Sequence, residues 1–341
     1  MKKIISILII SILLLSNFVF ASNNDTVKSF LDNRSSYREE FTHWSKLSDF
    51  TSKTLFTSDL QVFGMLYERK KDDGYIIYDQ NKDMIVEYSQ GESPYSSLLE
   101  EYKVKKKINL NNKKAEYLIY EGPTYYSYIL EKENNSTEYH TDFAATVYAD
   151  KENAISNESI ITSSPSYEEY VTTRGLTSKF IYGVADLKWY IGCSPTSGAN
   201  LMYYWASNGY PNLTSGMTSN QVIENLASFM GTNHSTGGTS PSDVGPGIIN
   251  YIESQGYNNF SYTQTTYPSF SNIMSEIDAN RPALVGFSNH STYGTHTSAL
   301  VGYECGTGPN VMIIHDTWSS TPTKVYVAHY STTKYLRKFW P

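Results

Sequence analysis

The stretch GCSPTSGAN at residues 192–200 contains one of the two cysteines in this 341-residue chain. Residues 195–208 predict a buried helix, and Ser194 or Thr196 can cap its start. At a helix start, unpaired backbone N–H groups and the positive end of the helix dipole favour a thiolate. Cys193 is therefore a candidate nucleophile, and it needs a neighbouring group that accepts its proton.

His296 is the histidine best placed to accept that proton. It opens the apolar run HTSALVGYE directly after Gly294 and Thr295, so a rigid strand can present its ring. The other six of the seven histidines lie in the N-terminal half, in loop-like stretches, beside the candidate aspartate or late in the chain: His43, His140, His234, His290, His315 and His329.

Asp316 is the candidate for the group that orients the imidazole. It ends the run NVMIIHD, twenty residues after His296 (316 − 296 = 20), which is enough for one strand, a turn and a return strand. Antiparallel neighbours joined in this way can place the Asp316 carboxylate beside the ring, where it fixes the tautomer and stabilises the imidazolium. Successive side chains of a strand face opposite ways, so His315 and Asp316 cannot both point at His296.

The elements that must position these residues follow one another as helices first and strands afterwards. Thr218 with Gln221 is a capping-box pair, residues 246–255 predict a helix that Gly256 closes, and residues 270–277 predict another that ends before Pro282. The short apolar runs ALVGF, SALVGY, VMIIHD and KVYVAHY then predict a sheet. Residues 175–341 are thus predicted to form an α+β domain.

Charge divides the chain into two predicted units. Residues 22–174 contain 18 basic and 26 acidic side chains, whereas residues 175–341 contain only 7 and 8. The polar stretch at 156–174, interrupted by Pro165, is predicted to be a linker.

The first unit, residues 22–155, is predicted to contain a helix between about 26 and 47 and then an antiparallel sheet. Its strand-like runs, which include MIVEYS (84–89) and YYSYILEK (125–132), alternate aromatic and β-branched residues with charges, which indicates one face in water. Residues 71–74, KDDG, predict a tight turn between two of these strands. Because no cluster of potential catalytic groups occurs in this unit, we interpret it as a folding or regulatory module.

The first residues, MKKIISILIISILLLSNFVFA, are typical of a secretory signal peptide covering residues 1–21. The alternative is a retained membrane anchor, but the apolar run is shorter than the ~20 residues of a spanning helix. We therefore expect a mature protein that is secreted or held at the cell surface, without a membrane-embedded part.

Composition excludes several classes of partner. The chain has a net charge of -7 and no strongly basic run, so we expect no nucleic-acid partner. Cysteines and histidines lack paired metal-ligand spacing, and no glycine-rich phosphate loop precedes a lysine. No metal and no cofactor are therefore expected, and the oligomeric state is not predicted.

Four motifs together resemble the papain-like cysteine peptidases, most of all the bacteriocin-leader-peptidase-like family with its soluble, secreted bacterial members. They are GCSPTSGA (192–199), MGT…GGTSP (230–241), GTHTSALVGY (294–303) and IIHDTW (313–318). The resemblance implies a peptidase domain made of a helical part and an antiparallel sheet, with a protein or peptide as substrate. It implies that Cys193 is the nucleophile, His296 the general base and acid, and Asp316 the orienting residue.

The chain departs from the family pattern before the cysteine. Such peptidases commonly place a glutamine there as a donor to the oxyanion, but residues 183–192, GVADLKWYIG, contain none. The backbone N–H of Cys193 can serve as one donor, and the second is unassigned. Residues 74–95 resemble the segment before the catalytic domain in exported cysteine peptidases of the streptopain type, which implies a propeptide that covers the cleft or assists folding.

Two other interpretations remain open. A cell-wall amidase or peptidase of the NlpC type has the same order of cysteine and histidine and acts on peptidoglycan. A non-enzymatic binding protein, rich in tyrosine, would instead join Cys193 to Cys305 in a disulfide, which is natural in an exported protein. Cys305 lies in ECGTGPN, predicted to be a turn between two strands.

Overall fold

The computed structural model describes residues 24–37, 39–96, 98, 113–132, 137–140, 168–173, 176–290, 294–306, 308–318, 324–329 and 333–341. The predicted signal peptide lies outside these residues. Of the predicted linker, only residues 168–173 lie inside them, and they form a strand. Within the described part of the chain, no helix combines the length and apolar character needed to cross a membrane.

The N-terminal unit consists of one long helix followed by strands. Its elements are α1 (Asn24–Tyr37), β1 (Phe50–Phe56), β2 (Val62–Arg69), β3 (Tyr75–Asp79), β4 (Met84–Ser89), β5 (Lys113–Gly122), β6 (Tyr125–Lys132) and β7 (Thr137–His140). The helix is shorter than predicted, because short 3-10 turns after it bring Phe41 and Trp44 into the core. The turn predicted at residues 71–74 joins the antiparallel strands β2 and β3.

The C-terminal unit contains the predicted helices and the strands that follow them, but two strands precede its first helix and another lies between its last two helices, so the predicted order holds only in part. Its elements are β8 (Glu168–Thr173), β9 (Leu176–Ile181), α2 (Cys193–Ser207), α3 (Ser219–Phe229), α4 (Val244–Ser254), β10 (Ser261–Thr266), α5 (Phe270–Asp278), β11 (Ala283–His290), β12 (Gly294–Cys305), β13 (Val311–His315), β14 (Val325–Ala328) and β15 (Thr333–Trp340). The capping box of Thr218 and Gln221 is confirmed at the start of α3. Sequence patterns missed β10 and β15, in which polar or charged residues interrupt the apolar alternation.

The strands of the described residues join into one sheet in the order β10-β15-β11-β12-β13-β14-β4-β3-β2-β1-β5-β6-β7, and β9 pairs with both β8 and β12. The central strands β12 and β13 are antiparallel neighbours, as the spacing between His296 and Asp316 predicted. Strand β14 pairs with β4, so the sheet continues across the predicted boundary between the two units.

The expectation of a water-exposed face is wrong for β3 and β4, because an apolar cluster covers each of their faces. Every residue of β3 is buried, and so is β4 from its second residue onwards. Ile76 and Tyr78 belong to the main core, whereas Tyr75 and Ile77 belong to a second apolar cluster on the other face. A strand covered on both faces no longer needs a polar side.

Helix α2 carries the candidate nucleophile into the core of the C-terminal unit. Its residues from Ser194 to Trp205 are all buried. Gly198 allows the close approach of α3 and α4, because a Cβ atom there would already lie 3.3 Å from Met230 and 3.5 Å from Ile248. The helix is thus packed on several sides, and this packing fixes the position of its first residue.

Candidate active site

Cys193 is the first residue of α2, at the helix start that the sequence predicted, although neither Ser194 nor Thr196 caps it. Gly192 is the N-cap residue, with φ 146° and no side-chain cap. The Thr196 hydroxyl donates instead to the Gly192 carbonyl at 2.8 Å and accepts from the Tyr190 N–H at 3.4 Å. The first backbone N–H groups of the helix are therefore not occupied by a cap hydroxyl and face the same end as the thiol.

Gly192 also lets a second segment approach the helix start. A Cβ atom at this position would lie 2.5 Å from the Gly237 carbonyl oxygen, and the positive φ is one that other residues rarely adopt. Residues 233–241, which we call the glycine loop, thereby lie directly beside Cys193.

Two hydrogen bonds fix the start of α2 on β12. The Ser194 hydroxyl donates to the Thr297 hydroxyl at 3.0 Å, and the Ser197 hydroxyl donates to the Thr297 carbonyl at 3.0 Å. All three residues are buried. Ser194 follows Cys193 and Thr297 follows His296, so these bonds join the helix start that bears the candidate nucleophile to the strand that bears the candidate base.

The His296 ring is buried and held by its neighbours on β13. Its Nε2 atom lies 3.3 Å from the Asp316 carbonyl oxygen, and its ring centroid lies 4.7 Å from that of Trp318. A carbonyl oxygen only accepts hydrogen bonds, so Nε2 carries the proton in the neutral ring. The lone pair is then on Nδ1, the atom that can accept a proton from a thiol.

Asp316 lies just after β13, with its carboxylate buried. Its Oδ1 atom accepts from the Trp318 N–H at 3.0 Å. Burial raises the pKa of this carboxyl to about 6, and Asp186 acts in the same direction, whereas the Trp318 N–H, His296 and His315 lower it. The sequence led us to expect a contact between the carboxylate and the ring; in the structure the Nε2–H group of His296 donates instead to the backbone carbonyl of Asp316.

His315 faces the other way, as the alternation along a strand requires. Its Nδ1 atom lies 3.0 Å from the Ala185 carbonyl oxygen, and burial lowers its pKa to about 4, so the ring is neutral at physiological pH. The Trp189 N–H donates to the Thr317 carbonyl at 2.8 Å. Residues 185–189, which precede Cys193, therefore run along the end of β13.

Neither Cys193 nor Cys305 forms a disulfide. Cys305 is the last residue of β12 rather than part of the turn that the sequence predicted. Burial raises the pKa of its thiol, and Asp278 and Glu304 act in the same direction. The structure thus does not contain the Cys193–Cys305 disulfide required by the binding-protein interpretation.

The N-terminal unit contacts this site directly, which sequence patterns did not predict. Cys193 packs against the second apolar cluster, whose members include Trp318 and residues of β1 to β6. The Trp318 indole donates to the Thr124 carbonyl at 3.2 Å, and the Tyr125 hydroxyl donates to the Phe287 carbonyl at 3.2 Å. The turn between β5 and β6 therefore lies over the histidine side of the site.

Glu87 is the second feature that the sequence did not reveal. It is fully buried on β4 and accepts hydrogen bonds from the hydroxyls of Tyr75 at 2.7 Å, Tyr120 at 3.1 Å and Tyr126. Burial raises its pKa to about 7 despite these bonds, and Asp316 adds to the increase. In the sequence, this buried carboxyl could have been suspected from the single charged residue in the strand-like run MIVEYS.

Among the residues that the structure describes, no group of three or more histidine, cysteine, aspartate or glutamate side chains could hold a metal ion. What the arrangement offers is a thiol at a helix start, an imidazole with its lone pair on Nδ1, and a buried carboxyl next to that imidazole. These groups are suited to nucleophilic catalysis.

Residues 181–340 match the family model described as Peptidase_C39 like family. The match includes Cys193, His296 and Asp316 and leaves out the N-terminal unit. No curated protein matches the chain. The family match supports a peptidase of the cysteine type, with a protein substrate.

Proposed function

We propose that this chain, whose residues 181–340 match the C39-like peptidases, is a secreted cysteine peptidase with Cys193, His296 and Asp316 as its catalytic residues. One observation carries the proposal: Ser194 and Thr297, the residues that follow the nucleophile and the base, are joined by a buried hydrogen bond of 3.0 Å. This bond links the helix start to the strand that presents the imidazole.

In the proposed reaction, Nδ1 of His296 accepts the proton of the Cys193 thiol, and the thiolate attacks the carbonyl carbon of the substrate. The backbone N–H of Cys193 and the positive helix end stabilise the oxyanion. His296 then donates its proton to the leaving amine, and a thioester remains on the sulfur. A water molecule, activated by His296, hydrolyses this thioester and releases the acid product.

Asp316 has two roles in this proposal. Its carbonyl oxygen accepts from Nε2 and so keeps the lone pair of His296 on Nδ1. Its buried carboxylate, when ionised, stabilises the imidazolium that forms during the reaction. The second role requires a pH above the raised pKa of this carboxyl, which is about 6.

We further propose that the N-terminal unit is a prosegment that covers the site until it is cut in the predicted linker at 156–174. The contacts of Thr124 with Trp318 and of Tyr125 with Phe287 support this proposal, because both lie beside His296. A peptide substrate could not occupy the same place. Mass spectrometry of the secreted protein tests it: only intact chains starting near Ser22 would count against removal.

The catalytic assignment is tested by comparing Cys193→Ala with Cys305→Ala, since each variant removes one free thiol. Hydrolysis of a denatured protein should disappear with the first substitution and persist with the second. Equal loss in both variants, or activity that survives Cys193→Ala, would contradict the assignment. Hydrolysis of peptidoglycan fragments but not of denatured proteins would instead favour a cell-wall enzyme of the NlpC type.

A further inference from the structure

Arg337 on β15 is a buried cation whose hydrogen-bonding capacity is mostly unused. The side chain is 1% exposed. Its Nη2 atom donates to the Pro241 carbonyl at 3.0 Å, while Nε and Nη1 have no hydrogen-bond partner among the described residues. Burying a guanidinium is unfavourable unless an anion or several acceptors compensate it. Such a group calls for a functional explanation.

The neighbours of Arg337 provide no carboxylate to pair with it. Leu284 lies opposite it on β11, Gln264 lies opposite it on β10, and its guanidinium carbon is 4.7 Å from the centre of the Tyr335 ring. None of the ion pairs formed by the described residues includes Arg337. The charge is therefore not balanced by an acidic side chain in direct contact.

The glycine loop connects Arg337 to Cys193. In the middle of this loop the Gly237 carbonyl lies against Gly192, and at its end the Pro241 carbonyl accepts the hydrogen bond of Arg337. Burial lowers the pKa of Arg337, whereas Tyr262, Tyr335 and Cys193 raise it. An interaction of this kind is reciprocal: if the sulfur anion stabilises the guanidinium, the guanidinium stabilises the sulfur anion.

The site also contains buried acidic groups. The carboxyls of Asp186 and Glu87 both interact electrostatically with that of Asp316. In acidic surroundings a thiolate is favoured when a nearby positive charge offsets the negative ones. Because it is buried, that charge is little screened by water or salt.

We propose that Arg337 is a positioning residue of the catalytic centre, whose buried guanidinium holds the sulfur of Cys193 in its thiolate form. The titratable groups that interact with the guanidinium are Tyr262 from β10, which also forms a side-chain hydrogen bond with it, Tyr335 from its own strand and, with the smallest effect, Cys193 from α2. The link to catalysis rests on the proposed function. The effect on the thiol does not, since it can be measured without turnover.

The test is the pH dependence of alkylation by iodoacetamide, measured at each cysteine of the full chain by peptide mapping. In Arg337→Met the midpoint of the Cys193 profile should move upwards by about one pH unit, because an opposite charge is lost. Arg337→Lys should keep the midpoint close to that of the parent. Methionine keeps an unbranched, flexible side chain without a buried charge, so this variant is expected to fold.

Two controls distinguish a specific effect on the Cys193 thiol from a general disturbance of the fold. Cys305 of the same molecule should keep its midpoint in all variants. Arg281→Gln removes an arginine that pairs with Glu276 on α5, and it should leave the Cys193 profile unchanged. If Arg337→Met does not fold, Arg337→Gln takes its place, and the lysine variant still distinguishes charge from shape.

An unchanged Cys193 midpoint in the methionine variant would overturn the proposal, even if peptidase activity fell. A midpoint that rises equally in the lysine variant would overturn it as well, because the charge would then not be the cause. Failure of the proposed function appears separately, as peptidase activity that survives Cys193→Ala. The two outcomes are therefore distinguishable.

Discussion

Replacing Glu87 by glutamine changes a buried carboxyl that accepts hydrogen bonds from three tyrosine hydroxyls of the N-terminal unit. Burial raises its pKa from 4.5 to about 7 in the folded protein. The folded state therefore holds the proton more tightly than the unfolded state does. The resulting stabilisation is fully present below about pH 4.5 and is lost as the pH rises through about 7.

The magnitude follows from the size of this shift. A change of roughly 2.5 pKa units at ~1.4 kcal/mol per unit corresponds to about 3 kcal/mol of unfolding free energy. Glutamine cannot ionise and resembles the protonated form, so Glu87→Gln should gain about 3 kcal/mol relative to the parent between pH 4.5 and 8. Tyr75, Tyr120 and Tyr126 can still bond to the amide.

Urea unfolding at pH 4.5, 6 and 8 measures this difference, with Cys193→Ala as the common background to prevent self-cleavage. The exposed Glu92→Gln is the matched control. Its unfolding free energy should change with pH in the same way as that of the parent. If the unfolding free energies of the parent and Glu87→Gln differed by the same amount at all three pH values, the reasoning about the buried carboxyl would be refuted.

Three further expectations follow from the site. Because the pKa of Asp316 is raised to about 6, kcat/KM for peptide hydrolysis should fall as the pH drops through that value. Asp316→Asn should abolish this fall at low pH and lower the maximal kcat/KM roughly tenfold or more. Tyr125→Phe removes a hydrogen bond worth ~1 kcal/mol between the N-terminal unit and β11, so alkylation of the catalytic thiol should become about fivefold faster; an unchanged rate would show that this contact does not cover the site. Gly192→Ala should lower the unfolding free energy by more than ~2 kcal/mol, through its positive φ and the contact with the Gly237 carbonyl. Gly209→Ala is its control, since that residue also has a positive φ but nothing within 4 Å, and equal losses in urea unfolding would exclude the contact as a cause.

The sequence indicated the local features of the fold because they depend on neighbours a few residues apart. The capping box at Thr218 and the strands Met84–Ser89 and Tyr125–Lys132 begin and end where the patterns placed them. The helix that begins at Cys193 was predicted in the same way, from small residues followed by apolar positions at helical spacing.

The pairing of strands that are far apart in the chain could not be predicted in this way. Strand β4 finds its partner β14 more than two hundred residues later in the chain (325 − 89 = 236), and no period in either strand specifies that partner. The two apolar clusters that cover the faces of β3 and β4 also join residues from distant parts of the chain, so the exposed face expected there is absent. Glu87 is buried beside Tyr75, Tyr120 and Tyr126, and this burial raises the pKa of its carboxyl.

The sequence alone determined which side chains can do chemistry here: a thiol at a helix start, an imidazole at a strand start and an aspartate one strand later. Tertiary structure decided their surroundings, since hydrogen bonds and charge effects act across space between residues that no local pattern connects. Only folding set the Asp316 carbonyl against His296, placed the turn before Tyr125 over the site, and brought Arg337 to the loop beside Cys193.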